Sequence, residues 1–336
     1  MRAAIIERPG IEHLHIVERP ESQPGAGEVL VRIRAASLNY RDNLVVVGGY
    51  GGRQKQEKLI PLSDGAGEIA ALGSGVSRWK VGERVVASLF PDWTSGPISE
   101  EKVERQLGGT VDGCACEYRV FPEHGLLRTP SHLSDIEAAT LPCAALTAWS
   151  AVASQGHVGP GDVVLTQGAG GVSLFALQFA HIAGASVIAT SSSADRLARL
   201  ASLGARHLIN YREDPEWGRT ARTETGGRGV DHVVEVGGGG TLKQSIRAVR
   251  VGGTISMIGV LSKAAPDFNP ALVVMQNIRL QGVTVGSREQ FEHMLAAIEL
   301  HRLRPITDRV FHLAELRQAL DYLGTGRQFG KICVEI

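Results

Sequence analysis

The sequence predicts an α/β protein in which a β-rich domain precedes a doubly wound parallel sheet. Three observations lead to this fold class. Short apolar runs separated by turn residues fill the first ~125 residues. Strand-like and helix-like segments alternate from about Ser134 onward. A glycine-rich turn at Gly168 joins a strand to a helix, and the length of 336 residues gives a soft prior of two domains.

Composition and charge exclude several classes of protein. The 35 basic residues balance 35 acidic ones, so the formal net charge is zero. The chain therefore lacks the excess of positive charge that is typical of nucleic-acid-binding proteins. Four cysteines in so long a chain do not form a disulfide framework. The uncharged run between Asp162 and Asp195 is interrupted by glycines, so we expect a strand, a helix and a strand there rather than a membrane span. The amino terminus has no apolar secretion segment, which predicts a cytoplasmic protein.

The β-rich part predicts strands separated by turn residues such as Pro24-Gly25-Ala26-Gly27 and Gly73-Ser74-Gly75. The polar, charged stretch between Pro91 and Gly109 predicts a surface excursion. The predicted strands are Arg2–Glu7, Leu14–Val17, Val29–Ala35, Gly65–Leu72, Glu83–Leu89 and Ala115–Phe121.

The alternating part predicts a parallel sheet with helices on both faces, because successive strands are joined by helical crossovers. Its predicted strands are Asp162–Thr166, Ser186–Thr190, His207–Ile209, Gly229–Val236 and Gly253–Ile258, and its helices are Val172–Ala183, Asp195–Leu203 and Leu242–Val249. A mixed tail then predicts a strand at Arg279–Val285, helices at Glu289–Glu299 and Leu313–Leu323, and a closing strand at Lys331–Ile336.

The glycine turn predicts a dinucleotide site of the Rossmann type. Gly168 permits a tight turn after the strand, and Gly170 and Gly171 let backbone N–H groups approach a pyrophosphate where the helix begins at Val172. Ser173 stands at the third position of the glycine fingerprint, and its small side chain still permits close packing. A tight turn without a ligand is the alternative, which the flanking strand and helix disfavour.

The end of the next strand distinguishes between the two nicotinamide dinucleotides. NAD sites place an acidic residue there, whereas this strand ends in Ser191, Ser192 and Ser193. Small hydroxyl donors with a nearby guanidinium, here Arg196, suit a 2′-phosphate. Asp195 is interpreted as a residue of the first helical turn, and the alternative for Arg196 is a solvated helix position. The pattern favours NADPH over NADH.

Five further motifs carry a family resemblance. They are Leu38-Asn39-Tyr40-Arg41-Asp42, Asp64-Gly65-Ala66-Gly67-Glu68, Asp112-Gly113 with Glu117-Tyr118, Leu141-Pro142-Cys143-Ala144-Ala145-Leu146-Thr147-Ala148-Trp149, and Phe329-Gly330-Lys331-Ile332. With the glycine turn, they make the whole chain resemble the medium-chain dehydrogenase/reductase superfamily, nearest to its zinc-independent, quinone-oxidoreductase-like branch. The resemblance implies a GroES-like catalytic domain at 1–125, a Rossmann domain at 126–264, and a return to the catalytic domain and the sheet edge at 265–336.

The same resemblance bears on zinc. Zinc-dependent relatives hold the catalytic metal with a Cys, a His and often a second Cys, and the corresponding positions here are Asn39, Ser63 beside Asp64, and Cys143. One thiolate with an amide and a hydroxyl does not make the three-ligand N/S site that zinc needs. Residues 92–109 also lack the cysteines of a structural zinc site. We therefore predict no zinc at either place, and an inert thiol at Cys143.

Further site residues follow from the resemblance alone. It implies that Thr147 approaches the nicotinamide and that Tyr211 lies beside the adenosine 2′-phosphate. It also implies that the backbone at 236–238 and 259–261 lines the dinucleotide; the residues assigned to this lining are Val236, Gly259 and Val260. Quinone reductases usually carry a tyrosine a few residues after the asparagine, where Leu44 stands here, so the resemblance leaves the specificity for quinones open.

These residues lead to the hypothesis of hydride transfer from NADPH to a small conjugated carbonyl acceptor, a quinone or an enone. Such an acceptor needs only a modest hydrogen-bond donor, because its negative charge is delocalised. Asn39 would position the carbonyl, and Tyr40 or solvent would supply the proton; a plain turn amide is the alternative role for Asn39. Two other functions stay open: an alcohol dehydrogenase with an atypical metal site of Cys143, Asp64 and a histidine, and a non-catalytic NADPH-binding protein.

The apolar strands near the end of the parallel sheet predict a homodimer. Gly253–Ile258 and Arg279–Val285 lie where an uncovered edge would expose unpaired N–H and C=O groups. Two-fold pairing across such an edge closes without leaving another edge, and Arg279 and Gln281 would flank the seam. The alternative is that a helix of the same chain covers this edge. No partner other than a second copy and a small-molecule substrate is predicted.

Overall fold

The computed structural model describes residues 1–55, 57–262 and 269–336, without the side chain of residue 53, and divides the chain into two compact units. The first unit comprises Met1–Leu146 and Gly286–Ile336, and the second comprises Thr147–Val285. The sequence places the first boundary after residue 125, and the helix at Asp135–Ala139 packs on the sheet of the first unit. The expected boundary at 264 lies outside the described residues.

In chain order the strands are β1 (Arg2–Ile6), β2 (Leu14–Glu18), β3 (Glu28–Ser37), β4 (Asp64–Leu72), β5 (Arg84–Ala87), β6 (Tyr118–Pro122), β7 (Leu126–Arg128), β8 (Val163–Gln167), β9 (Ser186–Ser191), β10 (His207–Asn210), β11 (Val230–Glu235), β12 (Val249–Met257), β13 (Arg279–Gly282), β14 (Thr307–His312) and β15 (Lys331–Glu335).

The helices are α1 (Tyr40–Val46), α2 (Glu100–Glu104), α3 (Asp135–Ala139), α4 (Leu146–Trp149), α5 (Gly171–Ile182), α6 (Ala194–Ser202), α7 (Trp217–Thr223), α8 (Leu242–Ala248), α9 (Pro270–Met275), α10 (Arg288–Leu300) and α11 (Leu316–Gly324). Short 3₁₀ turns lie at Ile11–His13, Gly51–Arg53, Glu123–Gly125 and Leu313–Glu315, and π-helical turns at Leu141–Ala145 and Ser150–Ser154.

The first unit is built on a mixed sheet in the order β14-β15-β3-β4-β5-β7, with β6 also paired to β3. β3 runs antiparallel to β4, where Ser37 pairs with Asp64, and antiparallel to β15, where Ser37 pairs with Cys333. The carboxyl end of β3 therefore lies beside the amino ends of β4 and β15. This junction places residues from three distant parts of the sequence side by side.

The second unit contains an all-parallel sheet in the order β10-β9-β8-β11-β12-β13. The order reverses between β8 and β11, which makes their carboxyl ends a topological switch point, the usual ligand site of such sheets. Both faces are covered, because every residue of β11 is buried and apolar side chains of β8, β9 and β12 pack around it. The predicted α/β class with a Rossmann sheet is confirmed.

Several short elements differ from the expectations. α1, α3, α7 and the strand β14 were not predicted, because segments of five to seven residues are too short to establish a periodic apolar pattern. The surface excursion between Pro91 and Gly109 contains α2, none of whose residues is buried. Within the described residues, no helix is long and apolar enough to cross a membrane.

Candidate active site

The glycine turn between β8 and α5 leaves room beside a set of backbone donors. Gly168 has a φ of +73°, in the left-handed region that favours glycine, and Gly170 is the N-cap of α5. A Cβ added to either glycine would meet no atom within 4 Å. No side chain caps the first turn of α5, and Ser173 instead donates its hydroxyl to the Gln167 carbonyl oxygen at 2.6 Å. The N–H groups of Gly171 and Val172, the first two of α5, therefore have no capping side chain, and the space beside Gly168 and Gly170 is open, as a pyrophosphate requires.

The carboxyl ends of β9 and β10 bring two of the sequence-predicted residues together. Ser191 pairs with Asn210, and the N–H of Tyr211 donates to the Ser191 carbonyl oxygen at 3.1 Å. The Ser191 side chain is buried, and its Oγ has no hydrogen-bond partner among the described residues, although buried hydroxyls are normally paired. Ser193 caps α6, which places Ser192 and Arg196 on either side of the same helix start. An unpaired donor beside an exposed tyrosine ring fits an additional polar group of a ligand.

The loops after β11 and β12 are joined to each other and to the end of β8. Val236 N–H donates to Gln167 Oε1 at 3.2 Å, and Gly259 N–H donates to the Glu235 carbonyl oxygen at 3.3 Å. A Cβ added to Gly238 would lie 3.0 Å from the Cα of Val260, so the two loops are in close contact. Thr147, the first residue of the second unit, has a buried side chain.

The first unit holds a buried polar cluster at the junction of β3, β4 and β15, which we name the Asn39 cluster (Ser37, Asn39, Ser63, Asp64 and Lys331). Lys331 Nζ donates to Asn39 Oδ1 at 2.5 Å and to the Leu38 carbonyl oxygen at 2.6 Å. Asn39 Nδ2 donates to Asp64 Oδ2 at 2.8 Å, and Lys331 Nζ lies 3.8 Å from the same oxygen. Ser63 and Ser37 donate their hydroxyls to Asp64 at 2.8 and 3.1 Å.

A second carboxylate adjoins the Asn39 cluster. Asp42 accepts the Asn39 backbone N–H at 2.7 Å, and Asn39 is the N-cap of α1, two residues after the end of β3. Burial raises the pKa of Asp42 to about 6, although Arg41 and the Asn39 N–H oppose the shift. Arg41 is itself buried, donates to the Leu107 carbonyl oxygen at 3.1 Å, and stacks on the Tyr50 ring 5.0 Å away. Tyr40 is partly exposed, at 41% of its surface.

Two family models match most of the chain. The alcohol dehydrogenase GroES-like domain matches residues 25–131, and the zinc-binding dehydrogenase domain matches residues 171–299. The chain belongs to the medium-chain dehydrogenase/reductase superfamily. The members of this superfamily are oxidoreductases that bind a nicotinamide cofactor. The resemblance stated from the sequence motifs is confirmed.

Relatives within the superfamily cover nearly the whole chain. A zinc-type alcohol dehydrogenase-like protein of Schizosaccharomyces pombe is 42% identical over 316 residues, 92% of this chain and 91% of the relative. A probable quinone oxidoreductase of Leishmania amazonensis is 29% identical over 337 residues, 94% of this chain and 91% of the relative.

Solved structures of the superfamily have the same fold as this chain. An NAD-dependent alcohol dehydrogenase is similar with a TM-score of 0.92 and 34% identity, covering 100% of both chains. A mycobacterial protein complexed with NADPH is similar with a TM-score of 0.84 and 26% identity, also covering 100% of both chains.

The donors of this medium-chain dehydrogenase/reductase do not fit the catalytic zinc that many family members carry. Of the three ligand positions, only Cys143 is a sulfur donor, and burial raises the pKa of its thiol to about 12. Asn39 Oδ1 is already taken by the Lys331 ammonium group, which would repel a metal ion. No group of three His, Cys, Asp or Glu side chains in the described part of the chain could hold a metal. Among these described residues, no histidine completes a metal site with Cys143 and Asp64.

Residues that the sequence reasoning missed occupy both sites. Lys331 was recognised only as part of the closing motif, yet its ammonium group is the buried cation of the Asn39 cluster. In the second unit, the side chains of Gln167 and Glu235 hold the loop that follows β11, one of the segments that the resemblance assigned to the dinucleotide. The available signal was a charged residue, Glu235, that directly follows the buried pair Val233 and Val234 at the end of a strand.

Proposed function

We propose that this oxidoreductase reduces a small conjugated carbonyl compound, an enone or a quinone, with NADPH and without zinc. The observation that carries the proposal is the Lys331 ammonium group held by Asn39 at a position where zinc-type relatives have a metal ligand. Reduction of an isolated ketone needs a strong electrophile such as zinc. A conjugated acceptor yields a delocalised enolate or phenolate, for which a hydrogen-bond donor suffices.

The Asn39 cluster supports a defined role for each group. Asn39 Nδ2 gives one hydrogen to Asp64, and its contact to Ser63 Oγ is long at 3.4 Å, so a substrate carbonyl can take the second hydrogen. Lys331 donates to the oxygen of the same amide, which strengthens the amide as a donor because linked hydrogen bonds polarise one another. Tyr40, exposed beside Asn39 on α1, or solvent supplies the proton.

The second unit supports NADPH as the cofactor, which when bound supplies the hydride. We assign the pyrophosphate to the backbone at Gly168, Gly170, Gly171 and Val172. We assign the 2′-phosphate to Ser191, Ser192, Arg196 and Tyr211, because the unpaired Ser191 hydroxyl is a ready donor and no acidic residue ends β9. Thr147, Val236, Gly259 and Val260 would line the remainder of the dinucleotide.

A substrate panel tests the reaction class. The purified protein is assayed with enones, quinones, ketones and aldehydes, with NADPH and NADH, before and after chelator treatment, and its zinc content is measured. We expect turnover of enones or quinones that chelator does not change. Stoichiometric zinc with chelator-sensitive alcohol oxidation would identify an atypical alcohol dehydrogenase. Tight NADPH binding without turnover of any compound would identify a non-catalytic protein.

Two variants of α1 test the assigned roles. Asn39→Ala removes the carbonyl donor and is expected to lower kcat by about 100-fold, the scale of losing one donor to a developing oxyanion. Tyr40→Phe is expected to lower kcat if the phenol is the proton source, and to leave it unchanged if solvent is. Asn43→Ala, on the same helix, serves as the control, because Asn43 donates to Leu320 outside the Asn39 cluster.

Two variants of α6 test the assignment of NADPH as the cofactor. Arg196→Ala is expected to raise KM for NADPH about tenfold and to leave KM for NADH unchanged, because only NADPH carries the 2′-phosphate. Arg199→Ala, one turn further along α6, is the matched control for loss of a positive charge. Equal changes for the two cofactors would contradict the assignment.

We also propose that two copies associate through β13. This strand forms the edge of the described parallel sheet and pairs with β12 on one side. Leu280 on β13 is 37% exposed, and Val274 and Met275 before it are 79% exposed. Edge-to-edge pairing would bury these apolar side chains and satisfy the strand's backbone. Light scattering is expected to give twice the 35.8 kDa chain mass, and a monomer at micromolar concentration would contradict the proposal.

A further inference from the structure

The second unit contains a fully buried carboxylate that the proposed reaction does not use. Glu235 ends β11 with a side chain at 0% exposure. Among the described residues it forms no ion pair. Burying a carboxylate without a cation is costly unless hydrogen bonds replace the lost water. The hydrogen-bond donors that surround Glu235 therefore indicate the role of its carboxylate.

Five neutral donors converge on the two carboxylate oxygens. Oε1 accepts the N–H groups of Gly237 and Gly238 at 2.8 and 2.9 Å and the Thr241 hydroxyl at 2.5 Å. Oε2 accepts the Gln167 side-chain amide at 2.8 Å and the Ser245 hydroxyl. The two glycine N–H groups and the Gln167 amide can only donate, so the arrangement requires both oxygens of Glu235 to accept.

The same residue organises two loops and the end of β8 at the carboxyl edge of the sheet. Its carboxylate fixes the loop that follows β11. Its backbone carbonyl accepts the N–H groups of Ile258 and Gly259 at 2.9 and 3.3 Å, which fixes the loop that follows β12. Gln167, at the end of β8, is held by Glu235 and in turn accepts the N–H groups of Val236 and Gly237 at 3.2 and 3.3 Å.

We propose that Glu235 is a positioning residue, whose carboxylate sets the affinity for the dinucleotide by holding the loops at 236–238 and 258–260 in their binding conformation. The inference rests on the proposed binding of a nicotinamide dinucleotide at this edge of the sheet. Glu235 acts through the loops and need not touch the cofactor. Preorganised loops bind a dinucleotide more tightly, because no free energy of binding is spent on ordering the loops.

Glu235→Gln tests the carboxylate with little change in shape. Whichever oxygen position receives the new NH2 group, it meets a donor: Gln167 at one, and the two glycine N–H groups at the other. We expect KM and the dissociation constant for NADPH to rise at least tenfold, equivalent to 1.4 kcal/mol, with kcat within twofold of the wild type. Binding is measured by the fluorescence of NADPH, and turnover with the best substrate of the panel.

A compensating swap separates positioning from general damage. In Gln167→Glu with Glu235→Gln, the amide and the carboxylate exchange places, and every hydrogen bond between the two side chains, Ser245 and the loop has a donor and an acceptor again. The double variant is expected to recover the wild-type affinity for NADPH. If it folds and its affinity stays tenfold weaker, the proposal is wrong. The swap also decides the case in which the single variant does not fold.

A control on the same strand addresses stability alone. Asp231, at the opposite end of β11, is paired with Arg228 and Arg250 and accepts the Val163 N–H. Asp231→Asn is expected to lower the melting temperature while leaving KM for NADPH unchanged. Equal effects of the Asp231 and Glu235 variants on KM would overturn the inference. A wild-type protein that binds neither dinucleotide would instead refute the proposed function.

Discussion

His232 makes the stability of the second unit depend on pH in a way that can be calculated. It lies in the middle of β11 at 1% exposure, with Nε2 3.0 Å from Ser256 Oγ and no partner for Nδ1 in the described residues. Burial lowers the pKa of His232 to about 4, with a smaller contribution from Arg279, against an ordinary value of 6.5. The buried imidazole is therefore neutral where a solvated one would be protonated.

The sign follows from the direction of the shift. Because the folded pKa lies below the unfolded one, this contribution to stability is complete above pH 6.5 and is lost as the pH falls toward 4. Applied to pKa values of 6.5 and 4, the linkage relation gives a loss of about 2 kcal/mol between pH 7.5 and pH 5.0. That loss is a sizeable part of the roughly 5–15 kcal/mol that stabilises a typical domain.

Asp42 acts in the opposite direction. Since burial raises its pKa to about 6 from 3.8, the folded state takes up a proton that the unfolded state does not, and acidification stabilises the first unit. Over the same pH range the linkage relation gives a gain of about 1.4 kcal/mol. The wild-type pH profile alone therefore mixes the two effects, and a His232 variant is needed to separate them.

The assay is urea unfolding of the wild type and His232→Gln at pH 7.5 and pH 5.0, followed by circular dichroism. The glutamine amide can keep a hydrogen bond to Ser256 but does not titrate. On acidification the variant is expected to lose about 2 kcal/mol less than the wild type. His301→Gln, at an exposed position, is the control and should lose as much as the wild type. Equal losses for the wild type and His232→Gln would refute the calculation.

Three further predictions concern the two sites and the sheet of the first unit. Gly170→Ala is expected to leave the melting temperature unchanged, because the added methyl group meets nothing within 4 Å. It is expected to weaken NADPH binding about tenfold, because the methyl group fills the space for the pyrophosphate. Unchanged binding in a fluorescence titration would contradict this prediction. Lys331→Met is expected to lower the free energy of unfolding by about 3–5 kcal/mol in urea, since it leaves Asp64 without its cation; a loss below about 1 kcal/mol would contradict this. Gly67→Ala places a Cβ 2.0 Å from the Arg32 carbonyl oxygen and is expected to cost about 3 kcal/mol in urea, whereas Gly282→Ala, in open space, should cost little.

The second unit was predictable because its signals are local. The glycine turn, the uncharged run around it and the serines after it lie within about 35 residues, and β8, α5 and β9 are observed within one residue of their predicted bounds. The pairing of Ser191 with Asn210 also places Tyr211 directly beside Ser191 at the carboxyl ends of β9 and β10. Local spacing fixed these contacts because parallel strands joined by one helix leave few alternatives.

The Asn39 cluster was not predictable in the same way. Lys331 lies 292 residues from Asn39 along the chain, and their contact exists only because β15 pairs with β3 in one particular register. A shift of one residue would turn Lys331 to the other face of the sheet. No pattern within a single segment carries that information. Glu235 was missed for a related reason, since its partners come from β8, α8 and its own loop.

The balance of buried charges in the first unit explains why Lys331, and not a zinc ion, occupies the position beside Asn39. Two carboxylates, Asp42 and Asp64, lie buried near Asn39, and two buried cations, Arg41 and Lys331, face them. Adding a divalent metal at Asn39 would leave two uncompensated positive charges in a low-dielectric region, which is far more costly than leaving the site to the lysine. We therefore expect purified protein to contain less than stoichiometric zinc, and Lys331→Met, which removes the competing cation, to bind more zinc than the wild type in an equilibrium dialysis; stronger zinc binding by the wild type would show that the ammonium group does not hold the metal position.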